Sequence, residues 1–219
     1  MALKLDLHLH THYSPDSWLS LKSLVRSVVR KKIDGVAVTD HDTLRGALKL
    51  REMAPPFKVI IGEEVSSSDG DIIGLFLNKT IPAGLSAEET IEKIKAQGGL
   101  VAIPHPFDRV RSCRLKLKKL QALADQIDMI EVFNGRTLWP QAAQKAQRFA
   151  KQRQLPQVAG SDAHSQFELA KAYTIIEDFQ GPLDFLENAK KAQVVDGHNP
   201  FWYYPLSGLA KIFHYVKPV

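Results

Sequence analysis

The sequence predicts one parallel α/β domain whose sheet is closed, or nearly closed, into a barrel. Three observations predict it. Short apolar runs alternate with amphipathic stretches, about seven such pairs fit within residues 1–195, and ionisable residues gather just past the apolar runs.

Taken in order, Leu3 to His10 alternates polar and apolar residues, as a strand with two different faces does. Leu21, Leu24, Val25, Val28 and Val29 fall at helical spacing after Ser20, a candidate N-cap, and Arg30-Lys31-Lys32 suits the negative end of that helix. Val36 to Thr39, entered through Gly35, reads as a buried strand. A helix from about Thr43 to Glu52 stops before Pro55-Pro56, and Lys58–Ile61 and Asp71–Leu77 are two further strands. Ser86 to Glu89 is a capping box, opening a helix that Gly98-Gly99 closes. Then come a strand at Leu100–Ile103, a helix at Leu115–Leu123, a strand at Met129–Phe133, a helix at Gln141–Lys151 and a strand at Gln157–Gly160. Tyr173–Ile176 is expected as the last barrel strand, with a helix from Pro182 to Ala192 after it. Residues 1–195 therefore form the domain. Residues 196–219, aromatic from Asn199 to Leu206 and then helical through Leu209 and Ile212, are a short extension expected to pack across the barrel.

Composition excludes several classes. A chain of 219 residues, 44% hydrophobic and 24% charged, is neither disordered nor fibrous. One cysteine, Cys113, speaks against a disulfide framework and against a cysteine-based metal site. No signal-like leader and no membrane-length apolar run is seen, so a cytoplasmic location without membrane contact is expected. The formal net charge of +5 is too small for a dedicated duplex-DNA face. Arg109, Arg111, Arg114, Lys116, Lys118 and Lys119 do crowd one stretch, as either a solvated helix face or an attractor for anionic substrates.

What ends each strand is more informative. The first ends in His8-Leu-His10, the second in Thr39-Asp40-His41-Asp42, and the third runs into Glu63-Glu64. Asp71 opens the next. His105-Pro106, Glu131-Val-Phe-Asn134 and Ser161-Asp162-Ala163-His164 follow the others. In a parallel barrel these ends meet at one rim, where such folds place their chemistry. Burying so many ionisable groups unpartnered costs several kcal/mol each, and divalent cations offset that cost. Nitrogen and oxygen donors without sulfur suit Zn, Mn or Fe. Nine candidates (His8, His10, Asp16, His41, Glu64, Asp71, His105, Asp162 and His164) are too many for one ion, so two or three ions are expected, with Glu64 the natural bridge. Closely spaced ions of this kind hold a hydroxide and neutralise a phosphoryl group.

His8-x-His10, Thr39-Asp40-His41-Asp42, Gly62-x-Glu64, His105-Pro106 and Gly160-Ser161-Asp162-x-His164, in this order, resemble the PHP (polymerase and histidinol phosphatase) domain. The resemblance implies a distorted (β/α)7 TIM-like barrel, a trinuclear metal centre and a standalone metal-dependent phosphoesterase. It implies that His8, His10, Glu64 and Asp162 hold one ion, that Glu64, Asp71 and His105 hold a second, and that Asp16, His41 and His164 hold a third. Glu64, Asp162, His164 and His41 then stand at the reacting centre, and Asp40 orients a ligand imidazole from behind. Asp16 is favoured over His12 because Ser14-Pro15-Asp16 has already turned away from the strand. Glu63 lies on the opposite strand face. Many relatives carry histidine where Asp71 stands, and the harder aspartate should favour Mn or Fe over Zn. Only a strand and one helix fit between Asp71 and His105, so the pocket is expected to be open.

The expected reaction is hydrolysis of a phosphate ester by a metal-bridging hydroxide, on a nucleotide or a short single-stranded nucleic-acid end. Arg109 and Arg136 are candidates to grip the phosphate unless they are ordinary surface arginines, and Ser14 or Asn134 could orient an oxygen or a water. Tyr13, Phe107 and Trp139 could stack a base or simply pack. The alternatives are a phosphomonoesterase of the histidinol-phosphatase type, acting on a phosphorylated small molecule, and a non-catalytic metal-binding interaction module. C–N hydrolysis in the style of amidohydrolase barrels is disfavoured, since no lysine occupies a motif position.

Overall fold

β1 (Ala2–Leu9) runs parallel to β2 (Gly35–Val38), and β2 runs parallel to β3 (Lys58–Ser67). β3 turns back on itself to give β4 (Gly70–Leu75), which is antiparallel both to β3 and to β5 (Leu100–Ile103). β6 (Met129–Asn134) and β7 (Gln157–Gly160) resume the parallel run. The ring closes where β7 meets the upper half of β1. There Leu9 and Ala163 form a parallel bridge, Asp162 N donates to His8 O at 2.7 Å and His10 N to Ala163 O at 2.9 Å. Gly160 permits this approach, because a Cβ there would sit 2.4 Å from His8 Cβ. This computed structural model describes residues 1–199. The aromatic run after Asn199, and the helix expected through Leu209 and Ile212, lie outside the described residues.

The predicted barrel is therefore present, distorted in two places. The β3–β4 pair is a hairpin, not a βαβ unit, so β4 enters from the mouth and brings Asp71 to the rim at its first turn. β8 (Tyr173–Glu177), expected as the last barrel strand, instead pairs antiparallel with the lower half of β1, and β9 (Gln193–Val195) pairs antiparallel with β8.

Helices α1 (Leu21–Lys31), α2 (Arg45–Glu52), α3 (Ala87–Lys95), α4 (Leu117–Ala122) and α5 (Pro140–Arg153) lie between the strands in sequence. Ser20 caps α1 by accepting from Ser23 N, and Ser86 with Glu89 forms the predicted capping box at α3. Leu24, Val28, Leu50, Ile94, Leu120 and Ala150 of these helices join Val36, Val38, Val101, Ile103, Ile130 and Val132 in the outer core. The inner core holds Leu5, Leu7, Ala37, Ile60, Ile73, Ala102, Met129 and Val158. α6 (Pro182–Ala189) belongs to this inner cluster through Phe185, whose ring packs edge-on against Phe76 and Phe179. Each fully buried Leu, Ile, Val, Met or Phe among them contributes roughly 1.5–3 kcal/mol. The apolar filling leaves the polar strand ends as the contents of the other end.

Candidate metal centre

Two one-residue irregularities aim the site. Strict alternation along β1 puts Leu3, Leu5 and Leu7 on the inner face and leaves His8 on the outer one. Between Asp6 and Leu9 the register with β2 slips by one residue (Asp6 opposes Val36, yet Leu9 opposes Val38), so His8 and His10 both turn inward and Leu9 joins the outer core. In β6 the register slips between Glu131 and Phe133, so that Glu131 and Asn134, three residues apart, face the same interior. Asp162, with φ 51, and His105, with φ 34, hold left-handed backbone at the ends of their strands, a strained choice typical of functional sites.

Glu64 stands in the middle. Its Oε2 lies 3.2 Å from His10 Nε2, 3.4 Å from His8 Nε2 and 3.4 Å from His41 Nδ1, and its Oε1 lies 3.1 Å from His105 Nε2. His8 Nε2 and His10 Nε2 are 3.2 Å apart, and Asp162 Oδ1 lies 3.3 Å from the latter. Two nitrogens about 2.0–2.1 Å from one tetrahedral ion would stand roughly 3.3 Å apart. Asp16 reaches two rings, with Oδ2 3.4 Å from His41 Nε2 and Oδ1 3.5 Å from His164 Nε2. Three donor groups result, each with its ligand atoms within 4.8 Å of one another: His8, His10 and Asp162; His10, Asp16, His41 and His164; and Asp71, His105 and Cys113. They face a cavity of about 450 Å³ that Arg111, Arg136, Val110 and Leu138 also line.

The electrostatics fit a set of divalent cations. Burial alone would lower His8, yet Asp162, Glu131 and Glu64 push it well above its ordinary value. Burial also opposes the charged form of His41, which Glu64 and Asp16 nevertheless raise to about 10. Glu64 and Asp162 are buried, which would raise them, but are held well below the usual carboxylate range, Glu64 by His8 and His41 and Asp162 by Arg111 and His8. Asp71 is pushed up to about 6 by burial and by Glu64, against the opposing pull of Cys113, His105 and His41. Protons on the rings thus supply the positive charge these carboxylates require, and divalent ions supply it better while releasing those protons. Asp71 Oδ2, Asp162 Oδ1 and His41 Nδ1 are buried without a hydrogen-bond partner, which is how donor atoms are left when they face an ion.

Other sequence candidates take supporting places. Ser14 is buried, its Oγ 3.1 Å from His10 Nδ1 and accepting from the His41 backbone N at 2.8 Å, so it fixes one ring and the strand end that carries another. Asn134 Nδ2 donates to Glu131 Oε2 at 2.9 Å and to Asp162 Oδ2 at 3.2 Å, and its Oδ1 accepts from Arg136 N at 2.9 Å. Asp40 does not reach an imidazole, because Thr11 N and Thr11 Oγ1 take its two oxygens at 2.5 and 2.7 Å. Arg136 Nη1 and the Asp162 carbonyl both lie 2.8 Å from His164 Nδ1, which pairs with the guanidinium when it is unprotonated and with the carbonyl when it carries the proton. His12 stacks against Tyr13 at 4.4 Å between ring centroids, and Glu63 points away to accept from Ile81 N. Arg109 is exposed on a separate cleft with Phe107 and Trp139.

Sequence reasoning missed three residues. Arg111, two positions from Arg109, is the one whose Nη2 lies 2.5 Å from Asp162 Oδ2. Glu131 binds His8 Nδ1 at 3.0 Å and His105 N at 2.8 Å, and an acid inside an apolar strand was its signal. Cys113, set aside as a lone thiol, stands with Asp71 and His105. Of the basic stretch, Lys116 and Lys119 pair with Asp69, and Lys119 also with Glu88, so those two lysines are ordinary surface partners.

Residues 140–194 match the family described as PHP-associated. The uncharacterized protein MJ1587 of Methanocaldococcus jannaschii is 43% identical over 150 residues, which is 61% of this chain and 82% of that protein. The chain belongs to the PHP family. Its PHP fold is shared with a two-domain protein of Bacteroides vulgatus containing a predicted PHP-like metal-dependent phosphoesterase. That structure superimposes with a TM-score of 0.75 at 21% identity over 90% of this chain, which spans 65% of its length. A second likeness in fold is to the lesion-specific endonuclease PfuEndoQ of Pyrococcus furiosus, with a TM-score of 0.63 at 15% identity over 89% of this chain and 58% of that one. Among the described residues no helix is long and apolar enough to cross a membrane.

Proposed function

We propose that this PHP protein is a metal-dependent phosphoesterase acting on a nucleotide or a short single-stranded nucleic-acid end. The observation that carries the reading is Glu64 within 3.4 Å of four imidazoles at the mouth of a barrel, flanked by two guanidinium groups on the same cavity wall. His8, His10, Glu64 and Asp162 would hold one ion, Glu64, Asp71 and His105 a second, and Asp16, His41 and His164 a third. The ions would be Mn, Fe or Zn, and their charge would activate water and stabilise a phosphoryl group in displacement. Arg111 and Arg136 bind and orient the phosphate oxygens through their planar donor forks. Ser14, Glu131 and Asn134 keep the ligand side chains from turning.

Support for this substrate class comes from the rim. Val110 and Leu138 are exposed apolar residues lining the cavity, and exposed Trp139 follows Leu138 in the chain. On their other side the same loops line a cleft of about 410 Å³ with Phe107, Trp139, Arg109 and Lys145, where an aromatic face and two cations suit a base and a second phosphate. The test is phosphate release from histidinol phosphate, nucleoside bisphosphates and 5′-phosphorylated oligonucleotides, each with Mn, Zn or Fe. Nucleotide substrates should turn over fastest, and Asp162→Ala and His10→Ala should abolish turnover. Preference for histidinol phosphate would favour the small-molecule reading. Activity surviving both substitutions would contradict the metal mechanism.

A further inference from the structure

The chain's one cysteine stands at the rim of the metal centre, held there by backbone. Asp71 N donates to Cys113 O at 2.6 Å, and Asp71 and Arg114 form a parallel bridge, so the segment after β5 is stitched to the head of β4 at this residue. Gly70, with φ +128, lets the two backbones meet, since a Cβ there would lie 2.5 Å from Arg114 carbonyl atoms. Sγ of Cys113, a carboxylate oxygen of Asp71 and a ring nitrogen of His105 lie within 4.8 Å of one another. Cys113 and Asp71 line the same cavity as His41 and Glu64. Asp71 is buried and its Oδ2 has no hydrogen-bond partner, so one ligand-capable oxygen of this group is left unsatisfied.

We propose that the Cys113 thiolate is a ligand of the ion held by Asp71 and His105. The proposal rests on the reading that the mouth binds divalent cations. As the sulfur–metal bond forms, the thiol proton passes to solvent. Asp71 alone would bias this position toward a hard ion, whereas a sulfur ligand shifts it toward Zn or Co and away from Mn.

The test uses the full chain, stripped of metal and reconstituted anaerobically with Co(II). The wild type should show sulfur-to-cobalt charge-transfer absorption in the near ultraviolet, absent from Cys113→Ser and Cys113→Ala. Both variants should release one of their ions to a chelator about tenfold more readily. Zinc-loaded protein should show a sulfur neighbour at about 2.3 Å by X-ray absorption. Cobalt bound stoichiometrically without the charge-transfer band, or a band that persists in both variants, overturns the proposal and leaves the metal centre standing. Failure to bind cobalt overturns both. Cys113 is exposed, so neither variant threatens the fold.

Discussion

Glu131 Oε1 lies 3.0 Å from Nδ1 of His8, fixing that ring with its other nitrogen toward Glu64 and Asp162. The second oxygen of Glu131 accepts from His105 N, so one carboxylate positions two strand ends at once. Glu131→Gln keeps the volume but loses one acceptor. It should weaken metal retention by about 10–100-fold, measured as metal content after dialysis against graded chelator. Unchanged retention would mean that His8 needs no such support.

Arg111 and Arg109 separate cleanly. A charge-assisted hydrogen bond to phosphate is worth about 1.5–3 kcal/mol, so Arg111→Ala should lower kcat/KM by roughly 10–100-fold. Arg109→Ala, on an exposed side chain outside the cavity, should leave the hydrolytic rate on a small phosphomonoester nearly unchanged. Steady-state kinetics of the two variants on one substrate decides the point.

Metal removal should cost stability. Ligands that bind only the folded state stabilise it by about 2.7 kcal/mol at a hundredfold excess over Kd. The stripped protein should therefore melt several degrees lower and recover when Mn or Zn is restored. The gap should narrow as pH falls, because protons on His8, His10 and His41, all raised above the ordinary imidazole value by the surrounding carboxylates, compete with the cations.

Glu63, on the outward face beside the bridge, supplies a pH prediction of opposite origin. Burial pushes its carboxyl up to about 7. The folded chain thus keeps a proton that the unfolded chain gives up near its ordinary value of about 4.3. Stability from this residue is full below that value, falls as pH rises through about 7, and then levels off, a loss of a few kcal/mol at most. Glu63→Gln should remove this slope, seen as a difference between the two proteins in urea unfolding at pH 5 and pH 8. Parallel curves would contradict it.

Much of this was legible in the residues. The alternation of strands and helices, both N-caps and the order of polar strand ends place the barrel and the nine mouth residues without coordinates. Three things were not. The β3–β4 hairpin is hidden because the strand expected at Lys58–Ile61 runs on to Ser67, so that Val65 and Ile72 pair across the turn. The bulges that turn His8 and Asn134 inward add one residue to a strand, and periodicity cannot register a single slip. Arg111 was hidden in a basic run where charge alone cannot tell the arginine on Asp162 from the lysines paired with Asp69.

The central claim is that the strand ends around Glu64 hold divalent cations, and counting them tests it most directly. Crystals grown with Mn or Zn and recorded at the corresponding absorption edge should show two or three anomalous peaks, among His8, His10 and Asp162, among Asp16, His41 and His164, and beside Asp71 and His105. A mouth without anomalous density after soaking with each metal in turn, its imidazoles still paired to carboxylates alone, would contradict the account.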